Sequence, residues 1–229
     1  MRTINSKINL QTVKIDLTNI LGPTDQEILM RARADLRLGI PIVLTNQEND
    51  AVVAPLDVLS QKRLDQLKSI DDSSFILITA RRAQTLKCPV YEGNFARIEV
   101  GQSAKISSLK AIADPSLDLT NPLKGPFNVI RERPLNLENN ALLLLKSAQL
   151  LPAAIISQVN EGEAFAKKYN LTYLQTKQLT ETAISSTSIA DAITAEIPTA
   201  RAENTRFHIF RPNISGEEHY ALEIGKINR

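Results

Sequence analysis

The chain has 229 residues, of which 43% are hydrophobic and 23% charged, and its 27 basic and 25 acidic residues leave a net charge of +2. Because this charge is nearly balanced, aromatic residues make up only 4% and tryptophan is absent, the composition argues against a nucleic-acid partner or an anionic membrane surface. The single cysteine, Cys88, excludes an intramolecular disulfide and a cysteine zinc cluster within one chain.

The amino terminus gives no targeting signal. Residues 1–22 are polar with scattered aliphatic side chains and are predicted to form a loosely held extension without a signal-peptide core. No apolar run reaches the roughly 18 residues that a membrane-spanning helix needs. The sequence therefore predicts a cytoplasmic protein with no membrane association.

The next segment alternates helical and strand patterns. Thr24 and Glu27 have the spacing of a capping box, which predicts a helix from there to Gly39. Short apolar runs bounded by turn residues predict strands, and leucines at helical spacing predict a helix between them. These elements are strands at 40–44, 51–54 and 75–78, a helix over 59–67 and a helix over 80–86 capped by Thr79.

A proline-rich stretch at 114–134 is predicted to be a long irregular connection. The elements predicted after it are helix 137–150, strand 153–159, helix 161–169, strand 171–174 and helix 176–185. Such alternation predicts an α/β (α+β) fold, with a mixed sheet covered by helices.

Several segments, in this order, resemble 3,4-dihydroxy-2-butanone 4-phosphate synthase, an enzyme of riboflavin biosynthesis. The similar segments are 32–43, 76–90, 110–115 and the helix, Leu-Pro break and buried strand over 136–159. The resemblance covers about residues 24–185 and implies the mixed sheet of that family. Because that family is a homodimer, the resemblance also implies a homodimer here. Dimer contacts rest on apolar surface, so they can persist after catalytic residues are lost.

The positions where that family carries its chemistry hold other residues here. The family's acidic loop, which binds Mg²⁺, is the shorter Thr-Asn-Gln-Glu-Asn-Asp run at 45–50, in which Glu48 and Asp50 remain. The expected Asp-Arg pair before residue 106 reads Ala104 and Lys105. Where the family has Gly-His-Thr-Glu at the start of the helix, residues 136–139 of this chain are Asn-Leu-Glu-Asn, so Leu137 replaces the histidine. Gln158 replaces the glutamate near the end of the strand.

These replacements predict that no catalytic residue remains. A leucine cannot move a proton, and a glutamine neither titrates nor binds Mg²⁺ well. The sequence therefore predicts no cofactor, with a residual Mg²⁺ at Glu48 and Asp50 as the alternative. Lys105 and Arg131, together with Arg81 and Arg82, are candidates for phosphate binding, and the alternative is a solvated basic face.

Residues 188–229 resemble the first strands of GTP cyclohydrolase II. The similarity lies in Ala-Glu-Ile-Pro-Thr at 195–199, the run at 207–210 and Glu-His-Tyr-Ala-Leu-Glu-Ile-Gly at 218–225. Three half-buried strands are predicted there, with His208 facing solvent and His219 structural or exposed; a functional His219 within the Glu-His-Tyr-Ala-Leu run is the alternative. The zinc ligands of that family lie further along its sequence, so zinc is not expected in this chain.

Together these patterns predict three regions: an extension at 1–22, a synthase-like domain at 23–187 and the truncated start of a cyclohydrolase-like domain at 188–229. The leading functional hypothesis is a non-catalytic dimerisation or scaffold module of riboflavin biosynthesis, which could also bind other enzymes of that pathway. The alternatives are residual synthase chemistry, cyclohydrolase activity in a longer parent chain, and a sensor of phosphate ligands.

Overall fold

The structure is a computed structural model that describes residues 22–70, 73–91, 93–179, 189–198, 205–212 and 218–225. Nearly all of the predicted extension at 1–22 lies outside these ranges, as does the predicted domain boundary at 187/188. Within the described ranges, the helices are all too short or too polar to cross a lipid bilayer.

The described residues form helices and strands in an alternating order. The helices are α1 (Asp25–Arg37), α2 (Gln61–Ile70), α3 (Ala80–Thr85), α4 (Ile106–Ala113), α5 (Glu138–Ser147) and α6 (Gly162–Tyr169). The strands are β1 (Ile42–Thr45), β2 (Asp50–Pro55), β3 (Phe75–Thr79), β4 (Phe95–Glu99), β5 (Ala153–Val159), β6 (Tyr173–Gln175), β7 (Ile189–Glu196), β8 (Thr205–Pro212) and β9 (His219–Ile224).

Six strands form a mixed sheet in the order β4-β3-β5-β2-β1-β6, in which β1 and β6 are parallel and the other neighbours are antiparallel. Helices cover both faces, so most central strand residues are buried and read as continuous apolar runs. One face packs against α2, α4 and α6, and the other packs against α1 and α5. The predicted α/β class is confirmed.

Helix-capping residues in the sequence correctly predicted where α1 and α3 begin. Thr24 and Glu27 form the predicted capping box of α1, and the Thr79 hydroxyl accepts a hydrogen bond from the Arg82 amide at the start of α3. The helix predicted over 176–185 is wrong at Thr176–Gln178, which form a 3₁₀ turn, and its residues from 180 onward lie outside the described ranges. Strand β4 was not predicted, because Arg97 interrupts its apolar run.

The connection at 114–134 is irregular, as predicted, and Arg82 of α3 anchors it to that helix. The Arg82 side chain is 8% exposed, and its guanidinium donates to both carboxylate oxygens of Asp118 at 2.7 Å and to the carbonyl of Ile112 at 2.7 Å. Lys124 also donates to Asp118. Arg82 is therefore a structural anchor, and its candidacy for phosphate binding is wrong.

This anchor predicts a pH-dependent loss of stability in acid. Hydrogen bonds from Arg82, and then from Lys124, hold the pKa of the Asp118 carboxyl well below its usual range. A depressed folded-state pKa contributes stability that is complete above the unfolded value of about 3.9 and disappears as the pH falls towards the folded value. We expect Asp118→Asn to unfold in less urea than the wild type at about pH 7 and 5, with the difference narrowing at about pH 3.

The matched control is Glu163→Gln, which alters an exposed ion pair with Lys167 and should leave the urea midpoint nearly unchanged. If the difference in urea midpoint between the wild type and Asp118→Asn stayed constant down to about pH 3, the proposed role of the Asp118 carboxylate as an anchor would be wrong.

A second, antiparallel sheet contains β7, β8 and β9 in that order. The predicted strands are confirmed, but the expected half-burial is wrong for β9, where Tyr220 is 60%, Leu222 55% and Ile224 64% exposed. The register places them on one face with Phe207 and Ile209. This small sheet therefore presents an apolar face that the described residues leave uncovered.

The opposite face of the small sheet is polar. Thr194, His208 and Glu223 form a hydrogen-bonded row, with His208 Nδ1 3.0 Å from the Thr194 hydroxyl and Nε2 3.1 Å from the Glu223 carboxylate. The His208 side chain is only 20% exposed, so the prediction that it faces solvent is wrong. His219 is exposed, as predicted.

Candidate functional site

Three of the four predicted site segments meet at one edge of the large sheet. Asn46 and Asn49, in the loop after β1, donate side-chain hydrogen bonds to the carbonyl of Leu135 at 2.9 and 3.1 Å. Gln158, near the end of β5, donates to the Asn49 carbonyl oxygen at 3.3 Å. The loop, the segment before α5 and the end of β5 are thus held together by these hydrogen bonds.

The fourth segment is tied to a different element. Lys105 is exposed at the start of α4, and the carbonyl of Ala104 accepts a hydrogen bond of 2.6 Å from Lys68 of α2. The Ile106 amide donates to Gln61, which is also on α2. Neither Ala104 nor Lys105 lines the clefts beside the other three segments.

Asp50, one of the two acidic residues considered for a residual Mg²⁺, has a structural role. Its carboxylate accepts a hydrogen bond of 2.7 Å from the Gly162 amide at the start of α6, and another from the Thr45 hydroxyl. The approach is so close that a Cβ on Gly162 would lie 2.7 Å from Asp50 Cγ. A negative charge at a helix amino terminus is stabilising, so Asp50 acts as a cap of α6.

Glu48 and Asp50 are not arranged to bind a metal ion together. Its side chain is exposed, while its backbone amide donates to the Asn46 carbonyl oxygen at 2.8 Å within the loop. Among the described residues, no group of three acidic, histidine or cysteine side chains is arranged to hold a metal ion. The residues at this edge therefore do not fit the Mg²⁺ that the resemblance implies.

The start of α5 is built as core. Leu137, at the family's histidine position, is 1% exposed and packs with leucines of α5 and with strand residues. Asn136, at the family's glycine position, has φ of 61°, a left-handed conformation that asparagine tolerates better than most residues. The Leu137 side chain is therefore part of the core and does not line a site.

A buried ion pair beside Leu137 was missed by sequence reasoning. Glu138 is 1% exposed and accepts hydrogen bonds from the amides of Leu135 at 2.9 Å and Leu137 at 3.0 Å. Arg97 of β4 is 4% exposed, with its guanidinium 3.7 Å from the Glu138 carboxylate and above the Phe75 ring. The sequence did contain a sign of this pair, because Arg97 lies within an otherwise apolar strand and Glu138 lies at the start of an apolar helix.

Arg131 lines a cleft of about 540 Å³ that also contains Gln158. Its guanidinium lies 4.8 Å from the centre of the Tyr91 ring, a cation–π contact. The same cleft contains Arg97 and Arg133 together with Glu99 and Glu132. Since both signs of charge line it, the cleft does not form the concentrated basic site that a phosphate group favours.

A second cleft, of about 610 Å³, lies between the loop after β1, the start of α5 and the end of β6. Most of its lining side chains carry amides or hydroxyls, including Asn46, Gln47, Asn136, Asn140 and Gln175. We call this cleft the amide cleft. It occupies the edge where the carboxyl ends of the parallel strands β1 and β6 meet, a common position for ligands in α/β sheets.

Cys88 is buried, as the sequence predicted, and desolvation raises the pKa of its thiol. A raised pKa leaves little thiolate at neutral pH, so this cysteine is a packing residue and not a nucleophile.

Comparison with solved structures identifies the fold. RibBX, a two-domain 3,4-dihydroxy-2-butanone 4-phosphate synthase from A. baumannii, superposes with a TM-score of 0.53 at 15% sequence identity, covering 89% of this chain and 70% of that one. The chain has a 3,4-dihydroxy-2-butanone 4-phosphate synthase-like fold. The fold predicted from the ordered segments is therefore confirmed.

Sequence comparison supports the second resemblance. Over 202 residues the chain is 24% identical to a GTP cyclohydrolase-2 of Azospirillum brasilense, which covers 85% of this chain and 52% of that relative. The chain thus spans about half the length of the curated relative that it matches. No protein-family model matches the chain. These likenesses relate the synthase-like chain to proteins of riboflavin biosynthesis.

Proposed function

We propose that this chain is a catalytically inactive, synthase-like module of a riboflavin-biosynthesis protein, in which the fold serves dimerisation or assembly. The observation that carries the proposal is the start of α5. There Leu137 is 1% exposed within the core, and the neighbouring Glu138 carboxylate is engaged by two backbone amides and Arg97. Proton transfer requires a titratable side chain within hydrogen-bonding reach of the substrate, and neither residue supplies one.

The other former-site positions support the same proposal. Asp50 caps α6, and the Gln158 amide hydrogen-bonds to Asn49. An amide cannot act as a general base, and the Asp50 carboxylate is engaged by the Gly162 amide and the Thr45 hydroxyl. Each of these groups contributes to the fold without contributing to acid–base chemistry.

The direct test is the synthase reaction itself. We expect no formate to form from ribulose 5-phosphate and Mg²⁺ above a no-protein control, because each lost acid–base group removes about 10²–10⁴-fold in rate. Formate release is measured by a coupled dehydrogenase assay, with an active 3,4-dihydroxy-2-butanone 4-phosphate synthase in parallel as a positive control. Turnover within about 10²-fold of that control would refute the inactive module.

Dimerisation is proposed from exposed apolar surface. In the connection at 114–134, Leu119 is 94% and Leu123 is 95% exposed. The alternative surface, the helix over 137–150, does not supply this area, because the α5 leucines at 142, 144 and 145 are buried in the monomer. The exposed leucines therefore support an interface at the connection.

We expect light scattering to give twice the 25.3 kDa mass of one chain at micromolar concentration. Replacing both Leu119 and Leu123 by serine should shift the mass to that of a monomer. The matched control is Leu38→Ser, which changes a leucine that is 70% exposed after α1 and should leave the dimer intact. A wild-type monomer across the dilution series would contradict the proposed assembly role.

A second candidate function rests on the match to a GTP cyclohydrolase-2 over 85% of the chain. In this reading the module is the amino-terminal half of a cyclohydrolase in a longer protein, and other enzymes of the pathway are possible partners. A zinc-dependent reaction would need ligands beyond those of the described residues, in which no metal-binding group is found.

A further inference from the structure

The amide cleft is a preformed recess of ligand size. Its volume of about 610 Å³ lies within the range of about 300–1,000 Å³ that is typical of small-molecule sites. It opens at the carboxyl ends of β1 and β6, so rigid strands position one wall. The opposite wall is the first turn of α5 with the left-handed Asn136.

Two lining side chains fix the shape of this recess. Asn46 uses its amide nitrogen on the Leu135 carbonyl and its oxygen on the amides of Glu48 and Asn49. Gln175 forms a reciprocal pair of hydrogen bonds with Gln178 around the 3₁₀ turn. Both edges of the cleft are therefore held before any ligand arrives, which lowers the entropic cost of binding.

Other lining groups remain available. Within the described part of the chain, the side chains of Asn136, Asn140, Thr176 and the Tyr173 hydroxyl form no hydrogen bond with another residue. Asn140, Thr176 and Tyr173 are each half-buried, so they face the cleft more than open solvent. Amides and hydroxyls of this kind both donate and accept hydrogen bonds, as sugar hydroxyls do.

The charge of the cleft separates neutral from anionic ligands. Glu48 and Lys177 are its two charged lining residues, and both are exposed at the rim. The pair sums to zero, and no arginine lines the cleft to form the bidentate contacts that phosphate groups favour. The lining therefore suits an uncharged, hydroxyl-rich molecule better than a sugar phosphate.

We propose that the amide cleft binds an uncharged polyol or sugar, without catalysing its conversion. Asn140 and Asn136 contact ligand hydroxyls from the α5 side, while Thr176 and the Tyr173 hydroxyl contact them from the β6 side. This binding role goes beyond the proposed assembly function, and the two are measured separately, since formate release and ligand affinity are independent readouts.

Isothermal titration calorimetry on the full chain tests this proposal, with ribitol and ribose as neutral probes and ribose 5-phosphate as the charged probe. We expect a neutral probe to bind at millimolar or lower concentration, and Asn140→Ala to weaken it by about tenfold or more. Alanine has the higher helix propensity, so this change should not unfold α5. Asn136→Gly, which tolerates the left-handed turn, should also weaken binding.

Two controls distinguish the possible outcomes. Gln66→Ala changes an exposed residue of a different cleft and should leave affinity unchanged. Lys177→Gln should have little effect on a neutral ligand but should weaken a phosphate ligand markedly. The proposal is overturned if neither neutral probe binds at millimolar concentration, if Asn140→Ala behaves like Gln66→Ala, or if ribose 5-phosphate binds in preference and loses affinity in Lys177→Gln.

Discussion

Glu138→Ala should lower the free energy of unfolding by about 3–5 kcal/mol, because removing one partner of a buried ion pair leaves the other charge uncompensated. Arg97 is 4% exposed, and its other hydrogen bonds go to the backbone carbonyls of Glu132 and Arg133, which carry no charge to replace that of Glu138. The substitution also removes the acceptor of the Leu135 and Leu137 amides, two donors at the start of α5.

Urea unfolding followed by far-ultraviolet circular dichroism measures this loss. The matched control is Glu163→Ala on α6, which removes an exposed partner of Lys167 and should cost no more than about 0.5 kcal/mol. The double variant Arg97→Met with Glu138→Leu should recover part of the stability, since apolar replacements remove both charges together while the Leu135 and Leu137 amides still lack their acceptor. A loss of less than about 1 kcal/mol in Glu138→Ala would contradict the structural role of the pair.

Leu137→His should also be strongly destabilising and should not create activity. The leucine is 1% exposed within the core, so the imidazole would replace apolar contacts and bury a polar ring. We expect a loss of about 2–5 kcal/mol, the usual range for a disrupted core leucine combined with an unpaired buried polar group.

The control for this substitution is Leu137→Met, which conserves volume and should cost less than about 1.5 kcal/mol. Both variants are compared by urea unfolding and by formate release from ribulose 5-phosphate. If Leu137→His were as stable as Leu137→Met and released formate, the core position of residue 137 would be wrong, together with the proposal of an inactive module.

Sequence patterns predicted the parts of the fold that depend on neighbouring residues. The Thr24–Glu27 capping box and the Thr79 cap are satisfied within three residues, so their spacing is sufficient to identify them. Strand β5 was predicted with its observed limits because it follows a Leu-Pro break and begins with four consecutive apolar residues that are buried between the two helical layers.

Features that depend on distant residues were not predictable in this way. Arg97 in β4 reads as a loop residue until its partner Glu138, on the other side of the proline-rich connection, is brought next to it. The sequence likewise left Asp50 as a solvated turn residue or a residual Mg²⁺ ligand, and its contact with the Gly162 amide at the start of α6 appears only in the folded chain. Sequence reasoning named the positions that differ from the family it resembles, but the partners of those positions in this chain emerge only from the folded structure.

The Arg97–Glu138 pair also restricts the routes by which this chain can change over evolutionary time. Glu138 occupies the family's threonine position, so regaining the reactive motif requires its replacement, which first exposes the stability loss of an unpaired arginine. Proteins generally retain only about 5–15 kcal/mol of stability, and variants that fall below the needed threshold are removed by selection. A lineage that carries this pair is therefore expected to change Arg97 and Glu138 together, because replacing Glu138 alone costs stability.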